Sequence, residues 1–113
     1  MRPIIIQNSR IPEALSIFIN INAITLYPFI ISRDTMDEVT LNHEKIHLEQ
    51  QRELWIAGFY LLYVYYWLIG KWKGESNLIA YLNIPFEIEA YAHEGDPFYI
   101  SQRPRNAWQR YLV

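Results

Sequence analysis

The chain has 113 residues, which is enough for one domain with a hydrophobic core and leaves little room for a second. Hydrophobic residues make up 51% and charged residues 19%, which excludes a disordered chain, and the net charge of −2 gives no electrostatic basis for binding nucleic acid. The absence of cysteine excludes disulfides and thiolate metal sites, so a metal would have to be bound by His, Asp or Glu.

The N-terminus does not follow the pattern of a secretory signal. The apolar run at residues 4–6 is too short for the central region of a signal peptide, and no small-residue cleavage site follows it. We therefore expect a cytoplasmic protein, with no signal peptide, whose mature chain begins at Met1.

Extended structure is predicted for the first third of the chain. Residues 3–7 fit a short strand, whereas residues 11–20 fit a strand or a helix equally well. Residues 23–32 are rich in Ile, Tyr, Phe and Thr, which favour strands. Because Pro28 cannot donate a ladder hydrogen bond, we expect the 23–32 strand to lie at the edge of its sheet.

A helix is predicted to begin near Met36. Thr35 and Glu38 have the spacing of a capping box, and two neighbouring aspartates place negative charge near the positive end of the helix. No glycine or proline interrupts the chain before Gly58, so the helix should continue to about Arg52 or beyond.

This helix carries the sequence H-E-x-x-H at residues 43–47. His43 and His47 are four residues apart, so both imidazoles face one side of the helix and can bind one metal ion. Glu44 is rotated by about 100° from His43, which suits a group that contacts the metal's water rather than the metal. The pattern predicts a metal site with Glu44 as catalytic base, and its alternative is a polar helix face without a metal.

Residues 54–70 carry no formal charge. Their number is at the lower limit for a helix that crosses a membrane, which is about 17 residues. Trp55 near one end, and Trp67, Trp72 and Lys71 near the other, are typical of a membrane interface. The four tyrosines in the run are polar for the centre of a bilayer, so a buried core helix is the alternative.

Two further helices are predicted. The first covers residues 85–94, with Asn83 as a candidate cap, Pro85 in the first turn and Gly95 as the stop. The second covers residues 104–112 and is short and amphipathic. Its apolar side would consist of Ala107, Trp108, Tyr111 and Leu112.

A catalytic zinc ion keeps three protein ligands and one open position, so a third ligand must come from elsewhere in the chain. The candidates lie on the 85–94 helix, where 100° per residue divides them between two faces. One face carries Glu87, Tyr91 and Glu94, and the opposite face carries the rival pair Glu89 and His93. The residues alone leave both sets open.

The two motif helices resemble gluzincin metallopeptidases, including membrane-bound HtpX-type and prenyl-protein-protease-type enzymes. In that family H-E-x-x-H is followed on a later helix by E-x-x-A-D, and this chain has Glu87-Ile88-Glu89-Ala90-Tyr91. The resemblance implies Zn²⁺ as cofactor, Glu87 as its third ligand beside His43 and His47, and a peptide or protein substrate. The order of motifs is also similar to that of short bacterial H-E-x-x-H proteins, which bring no established activity with them.

The resemblance also implies a fold. We expect one zincin-like domain over residues 1–113, mainly α (α+β), with a helical core and a short N-terminal edge sheet or hairpin. Its expected parts are extended segments at 3–32, the H-E-x-x-H helix and aromatic helix at 36–73, the third-ligand helix at 85–94 and a C-terminal helix at 104–112.

Tyr91 departs from the family pattern, which has aspartate at this position. The family's aspartate orients a zinc-bound histidine through its second ring nitrogen. In this chain either Asp34, Asp37 or another acceptor does so, or the site is a poorer catalyst. Tyr91 itself is a candidate catalytic residue, because a phenol next to the metal can donate a hydrogen bond to a developing oxyanion.

The sequence thus predicts a zinc-dependent metallopeptidase that hydrolyses peptide bonds with a water activated by Glu44. The alternative is a non-catalytic zinc-binding or membrane-associated interaction module with a degenerate peptidase site, in contact with the membrane through Leu54 to Gly70. The short chain favours this alternative, because little surface is left for substrate subsites. The sequence does not determine the oligomeric state.

Overall fold

A computed structural model describes residues 3–9, 23–32 and 35–112. Its elements in chain order are β1 (Ile4–Ile6), β2 (Ala23–Leu26), β3 (Phe29–Ser32), α1 (Glu38–Trp72), α2 (Asn77–Leu82), α3 (Pro85–His93), α4 (Tyr99–Gln102) and a 3-10 helix (Ala107–Tyr111). The described part of the chain is mainly helical with a small N-terminal sheet, which confirms the predicted fold class.

The sheet has the order β1-β3-β2, with β1 parallel and β2 antiparallel to β3. The prediction of one continuous strand over 23–32 is wrong, because the segment is a hairpin with Pro28 in its turn, after a cis Tyr27–Pro28 peptide bond. A hairpin is one of the two arrangements expected for the N-terminal region. In the turn Pro28 needs no ladder donor, so β3 can occupy the centre of the described sheet and β2 an edge. The ambiguous segment 11–20 lies outside the described residues.

Helix α1 begins two residues later than predicted. Its N-cap is Asp37, whose Oδ1 accepts a hydrogen bond from the Thr40 N–H at 2.7 Å. The Met36 N–H donates instead to Oε1 of Gln7 at 2.6 Å, which holds Met36 outside the helix. The expected capping box from Thr35 is therefore wrong, and aspartate is the stronger capping residue of the two.

Helix α1 is broken at Trp55, where the backbone has φ 58° and ψ 153°. In one straight helix Tyr63 would lie about 24 Å along the axis from His47, at 1.5 Å per residue. The Tyr63 hydroxyl instead donates to Glu87, whose other carboxylate oxygen contacts His47. The two halves, 38–54 and 56–72, therefore fold back beside each other.

Helix α2 is not among the predicted elements. Ser76 caps it by accepting a hydrogen bond from the Ile79 N–H at 3.2 Å. This helix packs closely on the end of α1, because a Cβ added to Gly70 would lie 2.8 Å from the Cβ of Ala80. Glycine is therefore needed at position 70 for this approach.

Helix α3 begins with Pro85 at its first position, as predicted. The expected cap at Asn83 is wrong, because Ile84 is the N-cap and makes no side-chain bond. The Asn83 amide donates to Glu75 at 2.7 Å. Proline lowers the need for a cap because it removes one of the unpaired N–H groups at the helix start.

The C-terminal segment forms a 3-10 helix over Ala107–Tyr111 rather than a helix over 104–112. Ala107 and Trp108 are buried, whereas Leu112 is exposed, so only part of the expected apolar side faces the core. The main core cluster consists of Phe59, Ile84, Phe86 and Trp108. It joins the second half of α1 to α3 and the 3-10 helix and so fixes α3 in front of the H-E-x-x-H segment.

Candidate metal centre

The histidines of H-E-x-x-H face the interior, and one carboxylate oxygen from α3 lies between them. The Nε2 atoms of His43 and His47 are 3.2 Å apart. Oε1 of Glu87 lies 3.0 Å from Nε2 of His43 and 3.1 Å from Nε2 of His47. All three side chains are buried, so three potential ligand atoms form a nearly equilateral triangle away from bulk water.

This triangle has the dimensions of a metal-binding group. Tetrahedral zinc with bonds of about 2.0–2.1 Å holds neighbouring ligand atoms roughly 3.3 Å apart. The observed separations of 3.0 to 3.2 Å need only a small expansion to reach that value. Two histidines and one glutamate are also a ligand set that catalytic zinc uses. The buried group formed by His43, His47 and Glu87 can therefore hold a metal ion.

The face of α3 that carries Glu87, Tyr91 and Glu94 turns toward His43. The Tyr91 ring meets the His43 ring edge-on, with 4.5 Å between the ring centroids. Oε2 of Glu94 lies 3.8 Å from Nδ1 of His43. Glu87, Tyr91 and Glu94 thus all approach His43 from one face of the predicted third-ligand helix, and Glu87 contacts His47 as well.

The rival pair, Glu89 and His93, lies on the other side of α3. Glu89 is fully buried and forms an ion pair with Arg103. His93 stacks on Tyr99 with 3.7 Å between ring centroids, and its Nε2 lies 2.7 Å from the Tyr111 hydroxyl. The structure therefore brings neither rival to the two histidines of the motif.

In the metal-free triangle, His47 and Glu87 each stabilise the charged form of the other. Burial opposes the charged form of His47, but the nearby Glu87 carboxylate outweighs it and raises the pKa of His47 to about 9. Burial likewise opposes the charged form of Glu87, and the two histidines hold its pKa far below its usual range. A metal ion that binds here at neutral pH must therefore displace a proton from His47.

Three residues outside the predicted set contact the site. Gln50 accepts a hydrogen bond from Nδ1 of His47 at 2.7 Å, and Tyr63 donates to Oε2 of Glu87 at 2.6 Å. The spacing of Gln50, three residues after His47 on the same helix, could have indicated it. No local signal indicates Tyr63, because its approach depends on the break in α1.

The third of these residues is Thr25 on β2, whose hydroxyl donates to Oε2 of Glu44 at 2.6 Å. The backbone oxygen of Thr25 accepts hydrogen bonds from Tyr60 and Gln51, which fasten β2 to both halves of α1. Glu44 is partly exposed, unlike the two histidines beside it. The edge strand thus holds the Glu44 carboxylate at the boundary between the buried triangle and solvent.

Asp34 and Asp37 are the named candidates to orient a zinc-bound histidine. Asp37 caps α1, and Asp34 lies outside the described residues. Gln50 is the acceptor that contacts Nδ1 of His47.

Comparison with protein-family models, curated proteins and solved structures finds no match to this chain. A functional assignment therefore depends on the chemistry of the site.

Proposed function

We propose that the protein is a zinc-dependent metallopeptidase of gluzincin type. The observation that carries the proposal is the buried triangle of His43, His47 and Glu87, with Glu44 held beside it by Thr25. Zinc bound to this ligand set would lower the pKa of a water ligand to about 7 and polarise a substrate carbonyl.

Glu44 is the general base in this proposal. It follows His43 directly on α1, so its side chain leaves the helix at about 100° to the first ligand. It also lies close enough to the triangle to help raise the pKa of His47. Its carboxylate accepts a proton from the attacking water and returns it to the leaving amine.

Tyr91 is the proposed oxyanion donor. Its ring packs on His43, its hydroxyl lies 3.1 Å from the Tyr81 hydroxyl, and 45% of the residue is exposed. Burial raises the pKa of Tyr91, so the phenol keeps the proton that it would donate to a developing oxyanion. Tyr91→Phe should lower kcat and leave the zinc content unchanged, and an unchanged kcat would remove this role.

The decisive experiment compares Glu44→Gln with Glu49→Gln. Zinc is quantified by mass spectrometry in protein never exposed to chelator, and peptide hydrolysis is followed with fluorogenic casein. Glu44→Gln should keep about one equivalent of zinc and lose hydrolysis, because it removes a proton acceptor and no ligand. Glu49→Gln should keep both, because Glu49 is a partly exposed glutamate of the same helix that lies outside the triangle.

Two results would contradict the proposal. Wild-type protein that holds far less than one equivalent of any transition metal would remove the metal site. Zinc-loaded protein whose activity is absent, or equal in the wild type and Glu44→Gln, would leave a non-catalytic zinc module, the alternative that the sequence predicted.

A second observation supports membrane contact. Five residues spaced along one side of the 56–72 helix form an exposed apolar stripe, which consists of Leu61, Val64, Tyr65, Leu68 and Trp72. Residues 38–72, taken together across the break at Trp55, have the length and composition of a membrane-crossing helix, and only 11% of their most apolar window is buried. Trp55 is 83% exposed at the opposite end, and Lys71 and Lys73 flank Trp72.

We propose that the apolar stripe lies on an anionic bilayer surface. The helix cannot be surrounded by lipid, because Tyr60 and Tyr63 on its other side bind Thr25 and Glu87. An apolar stripe with tryptophan and lysine at its margin suits the headgroup boundary, where lysines attract anionic lipids.

Flotation with vesicles tests this contact. The wild type should bind phosphatidylcholine vesicles that contain phosphatidylglycerol more strongly than phosphatidylcholine alone, and Leu61→Asp with Leu68→Asp should abolish binding. Val39→Asp is the control, because Val39 is 45% exposed on the first turn of α1 and lies outside the stripe. A wild-type dimer in analytical ultracentrifugation that the double variant converts to monomer, without vesicle binding, would assign the stripe to a second copy instead.

A further inference from the structure

We infer that Gln50 is a positioning residue that fixes His47 as a metal ligand, and that the buried Glu89–Arg103 pair fixes Gln50 in turn. The inference rests on the proposed metal site. Glu89, a rival metal ligand in the sequence prediction, supports Gln50 instead.

The side-chain amide of Gln50 has only one orientation that satisfies its surroundings. Gln50 is fully buried. Its Nε2 lies 3.0 Å from the Phe86 carbonyl oxygen and 3.0 Å from Oε1 of Glu89. Both of these atoms are acceptors, so the amide nitrogen must face them and the amide oxygen must face His47.

The orientation of Gln50 determines where His47 carries its proton. The amide oxygen accepts hydrogen bonds and donates none, so Nδ1 of His47, at 2.7 Å, must be protonated. A neutral imidazole with its proton on Nδ1 has a free lone pair on Nε2. This is the atom that faces His43 and Glu87, so Gln50 selects the tautomer that a metal ion requires at this position.

Glu89 and Arg103 keep the Gln50 amide from turning over. The Arg103 guanidinium binds both oxygens of Glu89 and also binds Glu53 at 2.9 Å, and its side chain is only 3% exposed. Tyr99 donates a further hydrogen bond to Glu89 at 2.7 Å. Because arginine stays protonated, Glu89 stays an acceptor and can receive the Gln50 N–H but cannot donate to its oxygen.

Gln51 provides a matched control beside Gln50. It is equally buried, at 1% exposure, and its amide is also fully used. It donates to the Thr25 carbonyl at 2.6 Å and accepts from the Tyr27 N–H at 2.7 Å. Both glutamines therefore contribute to stability, but only Gln50 contacts a histidine of the triangle.

The experiment measures zinc affinity by competition with a fluorescent chelator in the wild type, Gln50→Met and Gln51→Met. Methionine preserves much of the side-chain volume and removes the amide. Gln50→Met should weaken zinc binding by about 10- to 100-fold, the usual effect of losing such a hydrogen bond to a ligand. Gln51→Met should lose a similar amount of folding stability and bind zinc within about threefold of the wild type, because it leaves the His47 contact in place.

A second measurement uses the wild type alone, so that it stands if Gln50→Met fails to fold. Long-range ¹H–¹⁵N NMR of the zinc-loaded protein should show a protonated Nδ1 and a metal-bound Nε2 for His47. Ligation through Nδ1, or equal zinc affinity in Gln50→Met and the wild type, would overturn the inference and leave the metal site intact. Wild-type protein that binds no zinc would remove the proposed function together with the inference.

Discussion

Helix α3 carries two buried glutamates, two residues apart, whose surroundings differ in one decisive respect. Glu87 meets the imidazoles of His43 and His47 and a tyrosine hydroxyl. Glu89 meets the guanidinium of Arg103, a glutamine amide and another tyrosine hydroxyl. Each carboxylate is thus ionised, buried and paired with positive charge, yet only one of them belongs to a group that can hold a metal ion.

The counter-charge determines what each buried carboxylate can do. Arginine does not lose its proton and has no acceptor atom, so a metal ion cannot take the place of the Arg103 proton at Glu89. Histidine can lose its proton and then offers a lone pair in the same position. The pair at Glu87 is therefore exchangeable for a metal ion, whereas the pair at Glu89 is permanent and structural.

The largest expected contrast lies in zinc binding. Glu87→Gln should lower zinc affinity by about a thousandfold or more, because a neutral amide replaces one of three ligands in a site that contributes about 10 to 16 kcal/mol in structural zinc proteins. Glu89→Gln should lower zinc affinity by no more than about 10- to 100-fold, because it affects the site only through Gln50. Isothermal titration with zinc measures both, and equal losses in the two variants would erase the distinction.

The permanent pair should dominate stability. Arg103→Met leaves Glu89 buried without its counter-charge, which should lower the free energy of unfolding by about 3–5 kcal/mol. Arg52→Met is the control, because Arg52 is 59% exposed and 3.9 Å from Glu49, so its loss should cost less than about 1 kcal/mol. Urea denaturation of metal-free protein measures both, and a small effect for Arg103→Met would contradict the structural role of the pair.

The two pairs should also respond differently to alkaline pH. The folded pKa of His47, about 9, lies above its ordinary value of 6.5, so this group stabilises the metal-free fold fully below pH 6.5 and loses its contribution as pH rises through 9. The difference corresponds to about 3 kcal/mol. Glu87 has a lowered pKa, so its contribution is present above its ordinary pKa of 4.5 and is lost as pH falls below it.

Urea denaturation with chelator present, from pH 6 to 10, measures this loss. Zinc affinity should change in the opposite direction and rise with pH toward 9, because fewer protons compete for His47. His47→Gln should abolish the alkaline slope, whereas Arg103 keeps its proton throughout this range. Stability that stays constant from pH 6.5 to 9 in the wild type would show that His47 is not held as a cation.

The smallest expected difference in zinc affinity is between variants of the two tyrosines, Tyr63 at Glu87 and Tyr99 at Glu89. Tyr63→Phe removes the hydrogen bond to Glu87 and should weaken zinc binding about tenfold, the lower end of the effect of such partners. Tyr99→Phe removes the matching hydrogen bond to Glu89 and should leave zinc affinity nearly unchanged. The same zinc titration compares them, and an equal effect of the two variants would mean that the carboxylates are not separate sites.

Local periodicity could be predicted from the sequence because it depends on helix geometry alone. The spacing of His43 and His47 and the division of α3 into a Glu87 face and a Glu89 face both follow from 100° per residue. Helix α1 starts two residues after the predicted position, because Thr35 and Asp37 are both acceptable caps and the Gln7–Met36 hydrogen bond decides between them. Such a contact between distant residues leaves no local pattern.

The amino-acid sequence alone is enough to place two histidines on one side of a helix and to show that a carboxylate could complete their set. It also shows that two faces of a later helix compete to supply that carboxylate. Tertiary packing selects Glu87, because the core around Phe86 and the Arg103 pair turn the Glu89 face away from the histidines. It also brought Tyr63 to Glu87 through the break at Trp55. Helical periodicity depends on neighbouring residues, whereas the face of α3 that meets the histidines depends on the packing of segments far apart in the chain.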